Sequence, residues 1–106
     1  MKYYAVAEIE VTDPGWVREY LAEVTGMVER HGGRYLARTG QVERIEGEGA
    51  PPQTLLLIEW PSKEAAEDFY ASEEYRPYRE RRRGGARNDF LLAAGEDLAG
   101  VARIVE

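Results

Sequence analysis

The sequence predicts an α+β fold of the ferredoxin-like type, a βαββαβ order in which the four strands form one antiparallel sheet. Three observations support it. Apolar residues alternate with a period of two near the amino terminus, recur every three to four residues in two helical segments, and form an unbroken run at Leu55–Ile58. With 106 residues the chain allows one core, so we predict a single domain over residues 1–95 and a tail or dimer arm over residues 96–106.

The first strand and the first helix have clear signals. Tyr3–Val11 alternates between an apolar face and a mixed face, as a half-buried strand does. Asp13-Pro14 then supplies a capping oxygen and a preset φ, which predicts the start of a helix. The apolar stripe of this helix continues to His31, where two glycines follow.

The segment after the first helix predicts a second strand with a weaker continuation. Arg34–Arg38 has a period of two, which would place Arg34 and Arg38 on the same face. We predict a weaker extended piece over Gln41–Glu46, as a bent edge or a hairpin. Gly47–Gln53 is rich in glycine and proline and predicts a loop.

Thr54–Trp60 is the strongest strand of the sequence. Its uninterrupted apolar run is typical of a strand that is buried on both faces, which predicts a central position in the sheet. Ser62 caps a second helix, and Pro77 marks its interruption and restart because proline lacks the amide that a continuing helix uses. Asn88–Ala94 predicts a short last strand.

The apolar content of the first and third strands predicts self-association. Two helices cover one face of such a sheet, and the other face would leave a large apolar area in water. A second copy packed sheet against sheet about a two-fold axis would bury that area. We therefore predict a homodimer with a barrel-like core between the two sheets.

Composition and charge exclude several classes of function. The chain has 20 acidic and 14 basic residues, and a net charge of −6 disfavours nucleic acid and anionic lipid as partners. It has no cysteine and one histidine, so neither a thiol nucleophile nor a metal cluster of thiolates or imidazoles is expected. We predict no metal and no cofactor, no membrane segment and a cytoplasmic location.

Five motifs, in order and at matching spacing, resemble the DUF1330 family over nearly residues 2–95. They are Val11-Thr-Asp-Pro14 leading to Tyr20, His31-Gly-Gly-Arg-Tyr-Leu-Ala-Arg38, Glu43-Arg-Ile-Glu-Gly47, Ile58-Glu-Trp-Pro-Ser62, and Tyr70-Ala-Ser-Glu-Glu-Tyr75 followed by Pro77 and Arg82.

The resemblance implies membership in the dimeric α+β barrel superfamily and a pocket between sheet and helices in each protomer. Relatives in that superfamily include cofactor-independent monooxygenases, cyclases, isomerases and haem-dependent chlorite dismutases, so the resemblance does not select one reaction. The chain has Thr39, Thr54 and Ala94 where family members often carry glycine, arginine and glutamate. If the arginine and the glutamate belong to a site, part of it is missing here.

Four residues are candidate catalytic groups. His31 has the only side chain that titrates near neutrality without perturbation, although an imidazole at this position can instead cap the helix. Arg38 could hold a carboxylate or an enolate, or pair with a glutamate across the sheet. Glu59 interrupts an apolar strand and could act as a base or an orienting group, or pair with an arginine. Tyr75 falls on the family pattern and could orient a substrate.

The candidate substrate-binding residues are mainly aromatic. Tyr20, Trp60 and Tyr70 could line a flat apolar pocket, and Arg82, like Tyr75, falls on the family pattern; filling the core is the alternative for the aromatic residues. Arg82 belongs to a run of arginines between residues 76 and 87, with Glu80 inside the run and Glu73 and Glu74 just before it. Such a run indicates a solvated helix face with local ion pairs rather than a nucleic-acid site.

Two functional hypotheses follow. The first is a cofactor-independent acid–base enzyme, of the isomerase, cyclase or monooxygenase type, acting on a small aromatic or carboxylate-bearing molecule. The second is a non-catalytic ligand-binding or stress-related accessory protein that uses the same pocket. A haem or flavin binder is disfavoured, because a single histidine is the only strong axial ligand and no dinucleotide loop is present.

Overall fold

A four-stranded antiparallel sheet with the strand order β2-β3-β1-β4 carries three helices on one face. The computed structural model describes residues 1–106. Its elements are β1 Tyr3–Val11, a 3₁₀ turn Pro14–Trp16, α1 Val17–Arg30, β2 Arg34–Thr39, β3 Thr54–Trp60, α2 Lys63–Tyr70, α3 Arg76–Gly85 and β4 Ala86–Ala94. The ferredoxin-like α+β prediction is confirmed, including the central position of β3.

The helix boundaries follow the predicted caps with one difference. A carboxylate oxygen of Asp13 accepts from the amide of Gly15 at 3.1 Å, but the first turn is 3₁₀ and the α-helix begins at Val17. Ser62 Oγ accepts from the amide of Ala65 at 3.1 Å at the start of α2. The predicted break separates α2 from α3, which begins at Arg76.

Two predictions for the β2 region are wrong. The pairing with β3 changes register between Tyr35 and Ala37, so a β-bulge places Arg34 and Arg38 on opposite faces of the sheet. Gln41–Glu46 forms no strand, because β2 is an edge strand and β3, its only partner, begins opposite Thr39. Residues 40–53 form a loop instead.

The main core lies between the helices and one face of the sheet. Val24, Val28 and Phe69 from the helices pack with Ile58 and Trp60 of the sheet. The opposite face, which no helix covers, has an apolar centre flanked by Glu8 and Glu59: Val6, Leu55 and Leu57 are half-buried there, and Leu91 is exposed. None of the helices is both long enough and apolar enough to cross a membrane.

The last strand, β4, begins two residues earlier than predicted, directly after Gly85, the last residue of α3. Gly85 lies against the start of the first helical region. The carbonyl oxygen of Gly85 accepts from the amides of Thr12 and Asp13 at 2.9 and 3.0 Å and from Trp16 Nε1 at 3.0 Å. These bonds hold the α3–β4 junction against the 3₁₀ turn. Beyond β4, residues 95–106 contain no helix or strand, and the proposed domain boundary there stays a prediction.

Gly85→Ala is expected to destabilise the protein, because a Cβ at this position would overlap the Trp16 indole and approach the Asp13 carbonyl oxygen to 2.9 Å. We expect a loss of about 1–3 kcal/mol of unfolding free energy, the usual effect of overpacking a tight site. Gly84→Ala is the matched control, since nothing lies within 4 Å of its Cβ. Urea unfolding measures both, and equal stabilities would contradict the packing argument.

Candidate active site

A cavity of about 760 Å³ lies between the sheet and helices α1 and α2. Its wall is mainly aliphatic and aromatic, with Val24 and Leu21 from α1 and Leu56 and Ile58 from β3. Apart from tyrosines, the titratable side chains in this wall are Arg38 and Glu67. Small-molecule sites are commonly built in this way, from an apolar wall with a few polar groups that fix the orientation of the ligand.

A pair of tyrosines forms the polar part of the cavity wall. The hydroxyl groups of Tyr20 and Tyr75 lie 2.6 Å apart and share a hydrogen bond, and both side chains line the cavity. Tyr75 is almost fully buried, whereas Tyr20 is half-buried. Burial raises the pKa of Tyr20 far above its usual range, and the neighbouring Tyr75 adds to the effect, so the Tyr20 phenol stays protonated at neutral pH.

Arg82 lies behind this pair. Its side chain is 1% exposed, an Nη atom donates to the Tyr75 hydroxyl at 3.4 Å, and the guanidinium lies 4.2 Å from the centre of the Phe90 ring. No carboxylate lies within ion-pair distance, and Nε has no hydrogen-bond partner. The other arginines between residues 76 and 87 each pair with a glutamate at 3.0–3.7 Å, as a solvated helix face does.

Arg38 also lines the cavity. Its guanidinium lies 4.7 Å from the centre of the Tyr35 ring and donates to Thr25 Oγ1 at 3.2 Å. Arg38 makes no ion pair with a glutamate, and its exposed side chain lines the cavity. Burial raises the pKa of Tyr35, and Arg38 opposes that effect.

Two of the four candidate catalytic residues are not in the cavity wall. His31 caps α1, with Nδ1 2.9 Å from the Met27 carbonyl oxygen and 3.7 Å from a Glu74 carboxylate oxygen. Glu59 belongs to the helix-free face of the sheet, where it pairs with Lys2 at 2.8 Å and Arg34 at 3.7 Å. The hydrogen bond from Lys2 lowers the pKa of Glu59. The observed contacts are therefore a helix cap for His31 and ion pairs with basic side chains for Glu59.

The other candidates come together around the cavity. Trp60 and Tyr70 line it with Tyr20, Tyr75 and Arg38, and Arg82 supports Tyr75 from behind. The sequence did not single out Tyr35 or Glu67. The period of two could have placed Tyr35 on the helix face of β2. No periodicity in the sequence identifies Glu67, an exposed residue of α2, as part of the cavity wall.

This arrangement can bind a flat apolar molecule and interact with one of its oxygen atoms. The tyrosine pair supplies a protonated donor, and Arg82 supplies a positive charge close behind it. Donors that are held in place where negative charge develops stabilise an oxyanion better than mobile water does. Glu67 is the only carboxylate in the wall and Arg38 its only cation.

The fold is shared with several solved structures of low sequence identity. RPA0582, a protein of unknown function from Rhodopseudomonas palustris, has a TM-score of 0.71 at 13% identity, over 86% of this chain and 79% of its own. SnoaB, a cofactor-independent oxygenase from Streptomyces nogalater, has a TM-score of 0.62 at 16% identity, over 91% and 94%. Rv0793 from Mycobacterium tuberculosis has a TM-score of 0.57 at 19% identity, over 93% and 99%.

These likenesses concern the backbone, because proteins of such low identity can share a fold and differ in chemistry. No functionally curated protein matches the sequence. The sequence itself matches a family model, the domain of unknown function DUF1330, over residues 2–96, which is nearly the whole chain. The chain therefore belongs to the DUF1330 family.

Proposed function

We propose that this protein binds a small, ring-containing molecule in the cavity and acts on it by cofactor-independent acid–base chemistry. The observation that carries the proposal is the 760 Å³ apolar cavity with a hydrogen-bonded tyrosine pair in its wall and a buried arginine behind that pair. An inert core would contain neither a cavity of this size nor an unpaired cation. The ferredoxin-like fold of SnoaB is compatible with such a role.

The reaction that fits these groups best is an isomerisation or cyclisation through an enolate. In this scheme the Glu67 carboxylate takes a proton from a carbon next to a carbonyl group, and the carbonyl oxygen receives the negative charge. The tyrosine pair donates a hydrogen bond to that oxygen. Arg38 anchors a carboxylate or a second oxygen of the substrate. Trp60 and Tyr70 contact the ring.

We also propose a homodimer in the cytoplasm, formed by the helix-free faces of two sheets. The half-buried Val6, Leu55 and Leu57 and the exposed Leu91 support it, because such a face is costly to leave in water. The helices and the cavity lie on the other side of each sheet, so a dimer of this kind leaves the cavities open to ligands.

Leu21→Trp is expected to abolish ligand binding without loss of the fold. Leu21 lines the cavity and is 41% exposed, so an indole at this position would fill the entrance rather than the core. The measurement is the thermal midpoint with a panel of aromatic ketones and acids, where a bound compound at 100 times its Kd adds about 2.7 kcal/mol of stability. Ala22→Trp, on the exposed side of α1, is the control and should keep the shifts.

Product analysis of the compounds that bind separates the two functional hypotheses. Turnover of at least one of them supports the enzyme. Binding without any product in the whole panel supports the accessory ligand-binding protein. If no compound shifts the midpoint, or if Leu21→Trp keeps the shifts, the cavity is not the binding site.

A further inference from the structure

Arg82 is an uncompensated buried charge. A guanidinium stays protonated even when buried, and removing it from water is unfavourable unless a negative group lies nearby. Arg82 donates to the Tyr75 hydroxyl at 3.4 Å and lies over the face of the Phe90 ring, and the Tyr20 and Tyr70 side chains are also close to it; none of these groups is a carboxylate. The protein therefore leaves a net positive charge beside its main cavity.

Donor and acceptor can be assigned in the hydrogen bonds that link Arg82, Tyr75 and Tyr20. Arg82 can only donate, so the Tyr75 oxygen accepts. Tyr20 and Tyr75 have two hydroxyl protons between them, and one proton forms the bond that joins them. Neither hydroxyl has another acceptor in the protein, so one proton remains available. Tyr75 is almost fully buried and Tyr20 is half-buried, so Tyr20 is the hydroxyl that can reach a ligand. In this arrangement Tyr75 donates its proton to the Tyr20 oxygen, and the proton of Tyr20 is the available one.

We infer that the cavity takes its ligand as an organic oxyanion, a phenolate or an enolate, whose oxygen accepts a hydrogen bond from Tyr20. Tyr75 and Arg82 are positioning residues that orient this hydroxyl and supply the charge behind it. The inference rests on the proposed function, because it names the substrate class of the same cavity. It differs from the sequence-based interpretation, which gave the role of holding negative charge to Arg38.

An oxyanion delocalised over a ring suits this cavity better than a carboxylate. The wall is apolar, so the charge of the ligand must leave water, and a delocalised charge loses less hydration than a compact one. Tyr20 also keeps its proton, since burial raises its pKa, and a phenol that remains protonated can donate to a phenolate.

The test uses 4-nitrophenol, whose phenolate absorbs at longer wavelength than the phenol, with nitrobenzene and 4-nitrobenzoate as matched probes. We expect bound 4-nitrophenol to ionise at a pH about one unit lower than free 4-nitrophenol, which corresponds to about tenfold tighter binding of the phenolate than of the phenol. Nitrobenzene and 4-nitrobenzoate should both bind more weakly than the phenolate. Tyr20→Phe should remove the shift, and Tyr75→Phe should reduce it.

Tyr78→Phe is the control, because Tyr78 lies on α3 outside the cavity wall, and it should leave the shift unchanged. The inference would be overturned if bound 4-nitrophenol ionised at the same pH as free 4-nitrophenol or at a higher one. It would also be overturned if nitrobenzene bound as tightly as the phenolate. Either result would leave the proposed cavity intact. Tighter binding of 4-nitrobenzoate than of the phenolate would overturn the ligand class. Absence of binding by all three probes would count against the proposed function as well.

Discussion

Leu57→Asp is expected to convert the proposed dimer into a folded monomer. Leu57 lies in the central strand β3, on the helix-free face, between Val6 of β1 and Ala37 of β2. In a sheet-to-sheet dimer a carboxylate there would be buried without a partner, and two-fold symmetry would introduce it twice. We expect the dissociation constant to rise by on the order of a thousandfold or more, equivalent to about 4 kcal/mol.

Light scattering coupled to gel filtration measures the mass, and circular dichroism checks the fold. Ala22→Asp places the same charge on the exposed side of α1 and should leave the dimer intact. An unmodified protein that is monomeric at working concentrations would refute the dimer, and so would a Leu57→Asp variant that keeps the mass of a dimer. The cavity lies within one chain and would remain in either case.

The elements that the sequence predicts best are those in which a local pattern and the tertiary contacts agree. The run from Leu55 to Ile58 has apolar side chains for both faces, and β3 pairs with a strand on each side. The bulge in β2 has no such signal, because one extra residue changes the register without changing the composition. Gln41–Glu46 alternates weakly as a strand would, yet no strand edge lies beside it to supply hydrogen bonds.

The same distinction between local patterns and tertiary contacts applies to the residues of the candidate site. Tyr20, Trp60 and Tyr70 meet because they occupy the inner faces of predicted helices and of the central strand, which periodicity can identify. Tyr75 lies in the turn before α3, and only the resemblance to the family singles it out. The chemistry of the side chains alone makes His31 and Glu59 candidates, and each has a local partner outside the cavity. The special position of Arg82 depends on how α3 packs. The sequence shows it only as one of several neighbouring arginines.

Arg82→Met is expected to stabilise the ligand-free protein while removing the proposed preference of the cavity for an oxyanion. An unpaired buried cation costs several kcal/mol through lost hydration, and a cation–π contact returns about 2 kcal/mol of that cost. The single hydrogen bond to Tyr75, at 3.4 Å, is too long to offset the remainder. Methionine fills much of the same space without charge, so we expect the unfolding free energy to rise by about 1–3 kcal/mol.

Urea unfolding of the ligand-free variants and titration with 4-nitrophenol measure the two effects together. Arg83→Met is the control, because Arg83 is exposed on the same helix and pairs with Glu80 at 3.7 Å, so its loss should change stability by no more than about 0.5 kcal/mol. A purely structural Arg82 would give the opposite result, with lower stability in Arg82→Met and unchanged binding of the phenolate. A gain in stability with a loss of phenolate preference would indicate that the charge is retained for the ligand rather than for the fold.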